Sequence, residues 1–439
     1  MAGLLALGAL VALPLASAQS AGTPDAHPQL VTYKCTTSGG CQAQNTSVVL
    51  DFNSHWIHQT NDSSASCLSN GSLDSSLCPD TETCTKNCVV DGTTNYTATG
   101  VSTSGSSLTM NQFTAGSDGD LEVTSSRLYL FDGASNSYVQ FQMLNQELSF
   151  DVDVSTLVCG MNGALYFSEM ESSGGQSSES PAGAAFGAGY CDAQCPKLDW
   201  LNGTVNTNDL GACCSEMDLW EANAYATQLT PHPCTEPGLY ACSGDECGSS
   251  GVCEEAGCGF NPYAMGDQDF YKPGGTVDTN HPFTVVTQFL TNDNTTSGSL
   301  SEIRRLYVQN GTVIQNAVAT VSSVAGNNSI NGDYCSATDS AYSTWGGLPT
   351  SGEALERGMT LVFSIWDDSS AFMNWLDSGS AGPCDSTEGD PSTIQANAPN
   401  TSVTFSNIKW GDIGSTYGSG STSKLASRHA HNHIRKSWH

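Results

Sequence analysis

The sequence predicts an all-β fold, an antiparallel sandwich, on three observations. Short alternating or apolar runs, separated by clusters of Gly, Ser, Asn and Asp, fill the chain from about residue 31 to residue 413. Helical periodicity is scarce over the same span. The runs follow no fixed repeat, which disfavours a propeller. Many short strands without regular helices pack as sheet on sheet. Length alone permits two or three domains. The uniform texture offers no boundary, so one domain over residues 19–413 is expected.

In chain order the first element is a secretory leader, residues 1–18. Leu4 to Leu15 is an apolar stretch interrupted by Pro14, and Ala16-Ser17-Ala18 follows with the small-residue spacing of a cleavage site. The stretch lacks the usual preceding Lys or Arg. It is too short to span a bilayer, and no later segment could span one, so a secreted, extracellular protein is expected rather than a membrane protein. Ten strands are expected next, at residues 47–52, 108–113, 127–131, 138–143, 148–152, 165–168, 283–289, 303–309, 359–366 and 403–410. Many alternate in the manner of Val139, Phe141 and Met143. One short helix is expected at residues 351–357, stopped by Gly358. Two long stretches, 191–223 and 232–278, are rich in Cys, Gly, Asp and Pro; loops of this length are usually functional or stapled. From Gly414 the composition turns to Gly and Ser, then to a basic end with His429, His431 and His433. Residues 414–439 therefore read as a flexible tail rather than a metal handle.

Eighteen cysteines in an exported chain imply nine disulfides. Zinc at Cys242/Cys247 and Cys253/Cys258 is the competing reading, but these pairs lack the two-residue gap and His partners of zinc modules. No metal or other cofactor is expected. Cys213 and Cys214 are adjacent, so on a strand they point to opposite faces and bridge to different partners. The net charge is −31, and four of the 13 basic residues lie in the acid-free last twenty positions. A body this acidic repels phosphate backbones, so nucleic acid is excluded as a partner. Sequons at Asn45, Asn61, Asn70, Asn95, Asn202, Asn294, Asn310, Asn327 and Asn400 mark surface loops where they are used. No feature points to an interface, and a monomer is expected.

The segment Glu216-Met217-Asp218-Leu219-Trp220-Glu221-Ala222-Asn223 places three acids within six residues. On a strand Glu216 and Asp218 share a face. Like charges that close force one to hold a proton or a hydrogen bond from the other. Glu221 would point the opposite way on a regular strand. For all three to face one cleft, a bulge or bend is needed between Asp218 and Glu221. Two carboxyl groups facing one cleft, with a third positioning one of them, suit glycoside hydrolysis. A calcium site or a solvated acidic edge is the bland alternative. Calcium favours Gly-containing Asp/Asn loops, and Trp220 with the paired cysteines argues against a solvated edge.

The same segment resembles the active-site strand of glycoside hydrolase family 7. So do Leu229-Thr230-Pro231-His232-Pro233-Cys234, Gly189-Tyr190-Cys191-Asp192-Ala193-Gln194-Cys195-Pro196, Cys258-Gly259-Phe260-Asn261-Pro262-Tyr263 and Ser364-Ile365-Trp366-Asp367-Asp368. The resemblance runs from about residue 27 to residue 414. It implies a concanavalin A-like jelly roll of two curved antiparallel sheets, with long stapled loops building a cleft for cellulose or another β-1,4-glucan. It implies Glu216 as nucleophile, Glu221 as acid/base, Asp218 as the nucleophile's partner and His232 near the acid/base. It implies sugar platforms at Trp56, Trp366 and Trp375, and groove positions at Asn162, Tyr166, Tyr190, Asp192, Gln194 and Arg127. The implied disulfides are Cys35–Cys41, Cys67–Cys88, Cys78–Cys84, Cys159–Cys384, Cys191–Cys214, Cys195–Cys213, Cys234–Cys253, Cys242–Cys247 and Cys258–Cys335.

Family 7 contains tunnel-forming cellobiohydrolases and open-cleft endoglucanases. Only ten residues separate Asn202 from Cys213, where tunnel enzymes insert a long loop. The segment between Cys247 and Cys258 is also short, Ser54 replaces a stacking Trp, and Ser380-Ala381-Gly382-Pro383 lacks a binding Arg. These departures favour an endo-1,4-β-glucanase. A β-1,3-1,4-glucanase of a related jelly-roll family shares the acid spacing but would not explain the cysteines. A lectin-like sandwich would not need both glutamates.

Overall fold

The structure, a computed structural model, describes residues 20–116, 118–177 and 180–418. The expected leader and most of the expected tail lie outside the described residues. Two large sheets dominate. One runs, neighbour by neighbour, Ser137–Tyr138, Arg127–Asp132, Met359–Asp367, Met161–Ser168, Glu216–Ala222 and Thr227–His232. Ser47–Leu50 pairs onto Arg127–Asp132 at one side. The other sheet runs Val101–Ser104, Ser107–Asn111, Ser402–Asp412, Gln146–Asp153, Phe283–Thr291, Leu300–Gln309 and Thr312–Gln315. Hairpins such as Glu216–Ala222 with Thr227–His232 alternate with pairings of strands distant in sequence, such as Ser107–Asn111 with Ser402–Asp412, as in a jelly roll, and the ladders along both orders are antiparallel.

The core lies between the sheets. Trp220 of the first sheet meets Phe150 and Phe283 of the second edge-on, at 6.1 and 5.8 Å. Phe167 and Phe363 meet Phe289 and Phe405 across the core at tilted angles, and Phe150 also meets Phe405 of its own sheet edge-on. Such aromatic pairs bury large apolar area and prefer this edge-to-face geometry. All nine disulfides form, in the pairing that the resemblance implies. Cys213 and Cys214 bridge separately, to Cys195 and Cys191.

The ten expected strands and the expected helix are present, with three informative differences. The run at 47–52 stops at Leu50, because the Asp51 side chain accepts Asn53 N–H and caps a tight turn at Phe52–Ser54. The run at 138–143 is cut in two: Ser137–Tyr138 pairs with Arg127–Asp132, and Gln140–Phe141 with Met359–Asp367. The helix expected at 351–357 begins earlier, as Gly347–Arg357, and does end at Gly358. Short helices at Thr81–Asn87, Gly332–Thr338 and Pro391–Asn397 escape a periodicity search, although Asp80, Asn331 and Asp390 cap them by accepting backbone N–H groups. The packed body also continues past Ile413. Thr416 is buried, with its N–H and hydroxyl each 2.8 Å from Glu147 Oε1.

Candidate active site

The strand Glu216–Ala222 lies between Met161–Ser168 and Thr227–His232. Its pairing is irregular where the sequence requires it. Against Thr227–His232, Asp218 faces Thr230 but Glu221 faces Gln228, so the strand takes three steps where its neighbour takes two. Against Met161–Ser168, Met217 faces Phe167 but Trp220 faces Leu165. This is a β-bulge, and it resets the alternation. Met217, Leu219 and Trp220 enter the core. Glu216, Asp218 and Glu221 all line one cavity of about 800 Å³.

Arg127, Tyr166, Tyr190, Asp192, Gln194, His232, Trp366 and Trp375 line the same cavity. The Trp366 and Trp375 rings lie 6.3 Å apart and tilted by 31°. Asn162 sits behind the wall: its Nδ2 donates to Glu221 Oε1 at 3.0 Å, and its Oδ1 accepts the Ala222 N–H. Trp56 is not among the lining residues. It is 46% exposed, and its indole N–H donates to the Ser63 carbonyl. Ser54, two residues earlier, does line the cavity.

Sequence reasoning missed Asp51, Gln228, Glu255 and Ser364 as cavity residues. Asp51 Oδ2 accepts Arg127 Nη2 at 2.9 Å and also the Tyr129 hydroxyl, which fixes the Arg127 guanidinium 3.4 Å over the Tyr190 ring. Nothing local marks Asp51 for this. Gln228 was legible: counting back by two from His232 through Thr230 reaches it, directly across from Glu221.

Burial raises all three acids. Burial first, then the charge of Asp218, pushes the Glu221 carboxyl up to about 8. Burial also raises Glu216, with Asp218 and Asp192 adding to it. Asp218 is likewise raised, by burial first and then by the charge of Asp192. Glu216 Oε2 accepts the Ala193 N–H at 3.0 Å, a bond that favours its charged form. His232 Nδ1 faces the Glu254 carbonyl at 3.0 Å and so carries a proton. Its Nε2 lies 2.9 Å from Asp218 Oδ2, which places one more proton between these two groups. Two buried carboxyl groups in one cavity, with Asp218 and His232 beside Glu216, can perform paired acid and nucleophile chemistry.

The glycosyl hydrolase family 7 model matches residues 19–417. The endo-beta-1,4-glucanase celB of Aspergillus oryzae is 58% identical over 406 residues, 92% of this chain and 97% of its own. The chain belongs to glycosyl hydrolase family 7. Among solved family 7 structures, the Humicola insolens endocellulase EGI superposes with a TM-score of 0.86 at 44% identity, over 91% of this chain and all of its own. A family 7 cellobiohydrolase from Daphnia pulex superposes with a TM-score of 0.84 at 37% identity, over 91% of this chain and 99% of its own. Both names occur on one backbone, so within family 7 the fold alone does not select the cutting mode.

Proposed function

We propose that this family 7 chain is a secreted endo-1,4-β-glucanase. It hydrolyses internal bonds of cellulose and related β-glucans by retaining double displacement. The observation that carries the reading is the bulge that turns Glu216, Asp218 and Glu221 into one cavity. Glu221, with its proton held by burial, serves as general acid and then as base. Glu216 attacks the anomeric carbon, and Asp218 with His232 holds it and manages its proton. Trp366 and Trp375 offer flat faces to the apolar faces of glucose rings, while Tyr166, Tyr190, Asp192, Gln194 and Arg127 meet the hydroxyls. The likeness to a celB endoglucanase and to an endocellulase supports internal cutting. So do the short segments after Asn202 and between Cys247 and Cys258.

The deciding experiment follows viscosity and reducing ends together on carboxymethylcellulose. Internal cutting collapses viscosity early. Slow viscosity loss with steady cellobiose release would reassign the enzyme as exo-acting. Glu216→Gln should lose at least about 10³-fold in kcat, and NMR of the first-formed anomer should show retention. An inverted product rejects the double displacement.

A further inference from the structure

The bulge creates a problem that a residue from the opposite sheet solves. Within Glu216–Ala222, the ladder to Met161–Ser168 leaves Asp218 and Leu219 without a register partner. The ladder to Thr227–His232 leaves Leu219 and Trp220 without one. Leu219 is therefore the residue of this strand unpaired on both sides. It sits in the apolar core, where an unmet backbone carbonyl is costly.

Arg305 meets it. On Leu300–Gln309 of the second sheet, Ile303, Arg305 and Tyr307 share the interior face, and all three are buried. The Arg305 guanidinium crosses the sandwich and its Nη2 donates to the Leu219 carbonyl. It also lies 5.8 Å from the Trp220 ring centroid and 5.9 Å from that of Tyr307. No carboxylate pairs with it among the described residues, and its Nε has no hydrogen-bond partner. A buried guanidinium without a counterion is expensive. An apolar side chain would fill the space at lower cost but would leave the bulge carbonyl unmet.

We propose that Arg305 is a positioning residue: holding the Leu219 carbonyl from across the core, it fixes the bulge that aims Glu221 into the cavity. The inference rests on the acid/base role proposed above for Glu221. A loosened bulge displaces Glu221 and leaves Glu216, on the regular part of the strand, in place. The loss should therefore fall on proton donation and not on nucleophilic attack.

The test compares kcat/KM on cellotetraose, whose leaving group needs a proton, with kcat/KM on 2,4-dinitrophenyl β-cellobioside, whose leaving group does not. Arg305→Met should lose about tenfold or more on cellotetraose and about threefold or less on the activated substrate. Ile303→Val, which loosens the same interior face without touching Leu219, should lose equally on both. Should Arg305→Met not fold, Arg305→Lys decides: its ammonium cannot reproduce the guanidinium's reach, and the ratio of the two losses should still be about threefold. Equal losses on both substrates from the folded Arg305 variant overturn the proposal. Glu221→Gln, measured in parallel, separates the two readings. If Glu221→Gln itself loses equally on both substrates, the acid/base assignment fails. If only the Arg305 variant does, the positioning role alone fails.

Discussion

Asn162 regulates the proton affinity of Glu221 through a single hydrogen bond. Its amide N–H donates to Glu221 Oε1 and so favours the carboxylate, opposing the burial that raises this group. Removing the donor raises the affinity further. Asn162→Ala should therefore move the basic limb of the kcat/KM profile up by about one pH unit; an unmoved or lowered limb would exclude Glu221 as the group that titrates there. Gly257 does comparable work for His232. Its φ is +68°, and a Cβ there would meet His232 Cε1 at 2.6 Å and Thr230 Cγ2 at 2.3 Å. Gly257→Ala should push the imidazole off Asp218 and reduce kcat about tenfold or more at unchanged fold, measured against the far-ultraviolet circular dichroism of both proteins. Neither effect was visible in the sequence. A glycine and an asparagine acquire these roles only when a loop and a neighbouring strand, distant in sequence, come to lie against the acid cluster, whereas Glu216, Asp218 and Glu221 carry their meaning in their own spacing.

The element that made the site readable is the strand 216–222 itself. Three acids at that spacing cannot share a face on a regular strand, so the irregularity follows from geometry: the ladder to Thr227–His232 shifts between Asp218 and Glu221, and the ladder to Met161–Ser168 between Met217 and Trp220. The run at 283–289 was legible because it is longer than any turn tolerates, whereas only residues 165–168 of Met161–Ser168 were expected, because Asn162 and Gly163 interrupt the apolar pattern. Short helices of seven residues, such as Thr81–Asn87, hold too few turns to repeat a period. Of the cysteines beside the acids, the sequence showed only that Cys213 and Cys214 bridge to different partners; the resemblance supplied which. Cys191–Cys214 encloses Cys195–Cys213, so each bridge closes much of the loop that the other closes. An isolated bridge of this span would contribute about 3 kcal/mol through loop entropy. Replacing one pair by serine should cost less than this, and replacing both should cost more than the sum of the single losses. Additive shifts in denaturant midpoints would mean that the two bridges act on independent segments.

At the scale of the molecule, the site is maintained against the stability of the fold. In the unfolded chain Glu221 and Asp218 ionise near 4, as ordinary carboxylates do. In the native state burial holds both up to about 8, and Glu216 is raised with them. Between about pH 4 and 8 the unfolded chain therefore binds fewer protons than the native one, and stability falls as pH rises through that window. The net charge of −31 produces a fall of the same sign through self-repulsion, so the slope of the parent alone does not isolate the site. The difference from Glu221→Gln does, because the repulsion between surface carboxylates is nearly common to both. Near pH 4 the native Glu221 is neutral like the glutamine, and the two proteins should unfold at similar temperatures. By pH 8 the parent has lost the contribution of that one group, and the variant should be more stable by about 2 °C or more. Calorimetry across this range reads the gap directly. Parallel curves would mean that Glu221 titrates alike in the folded and unfolded chains, and the raised acid on which the proposed chemistry depends would not exist.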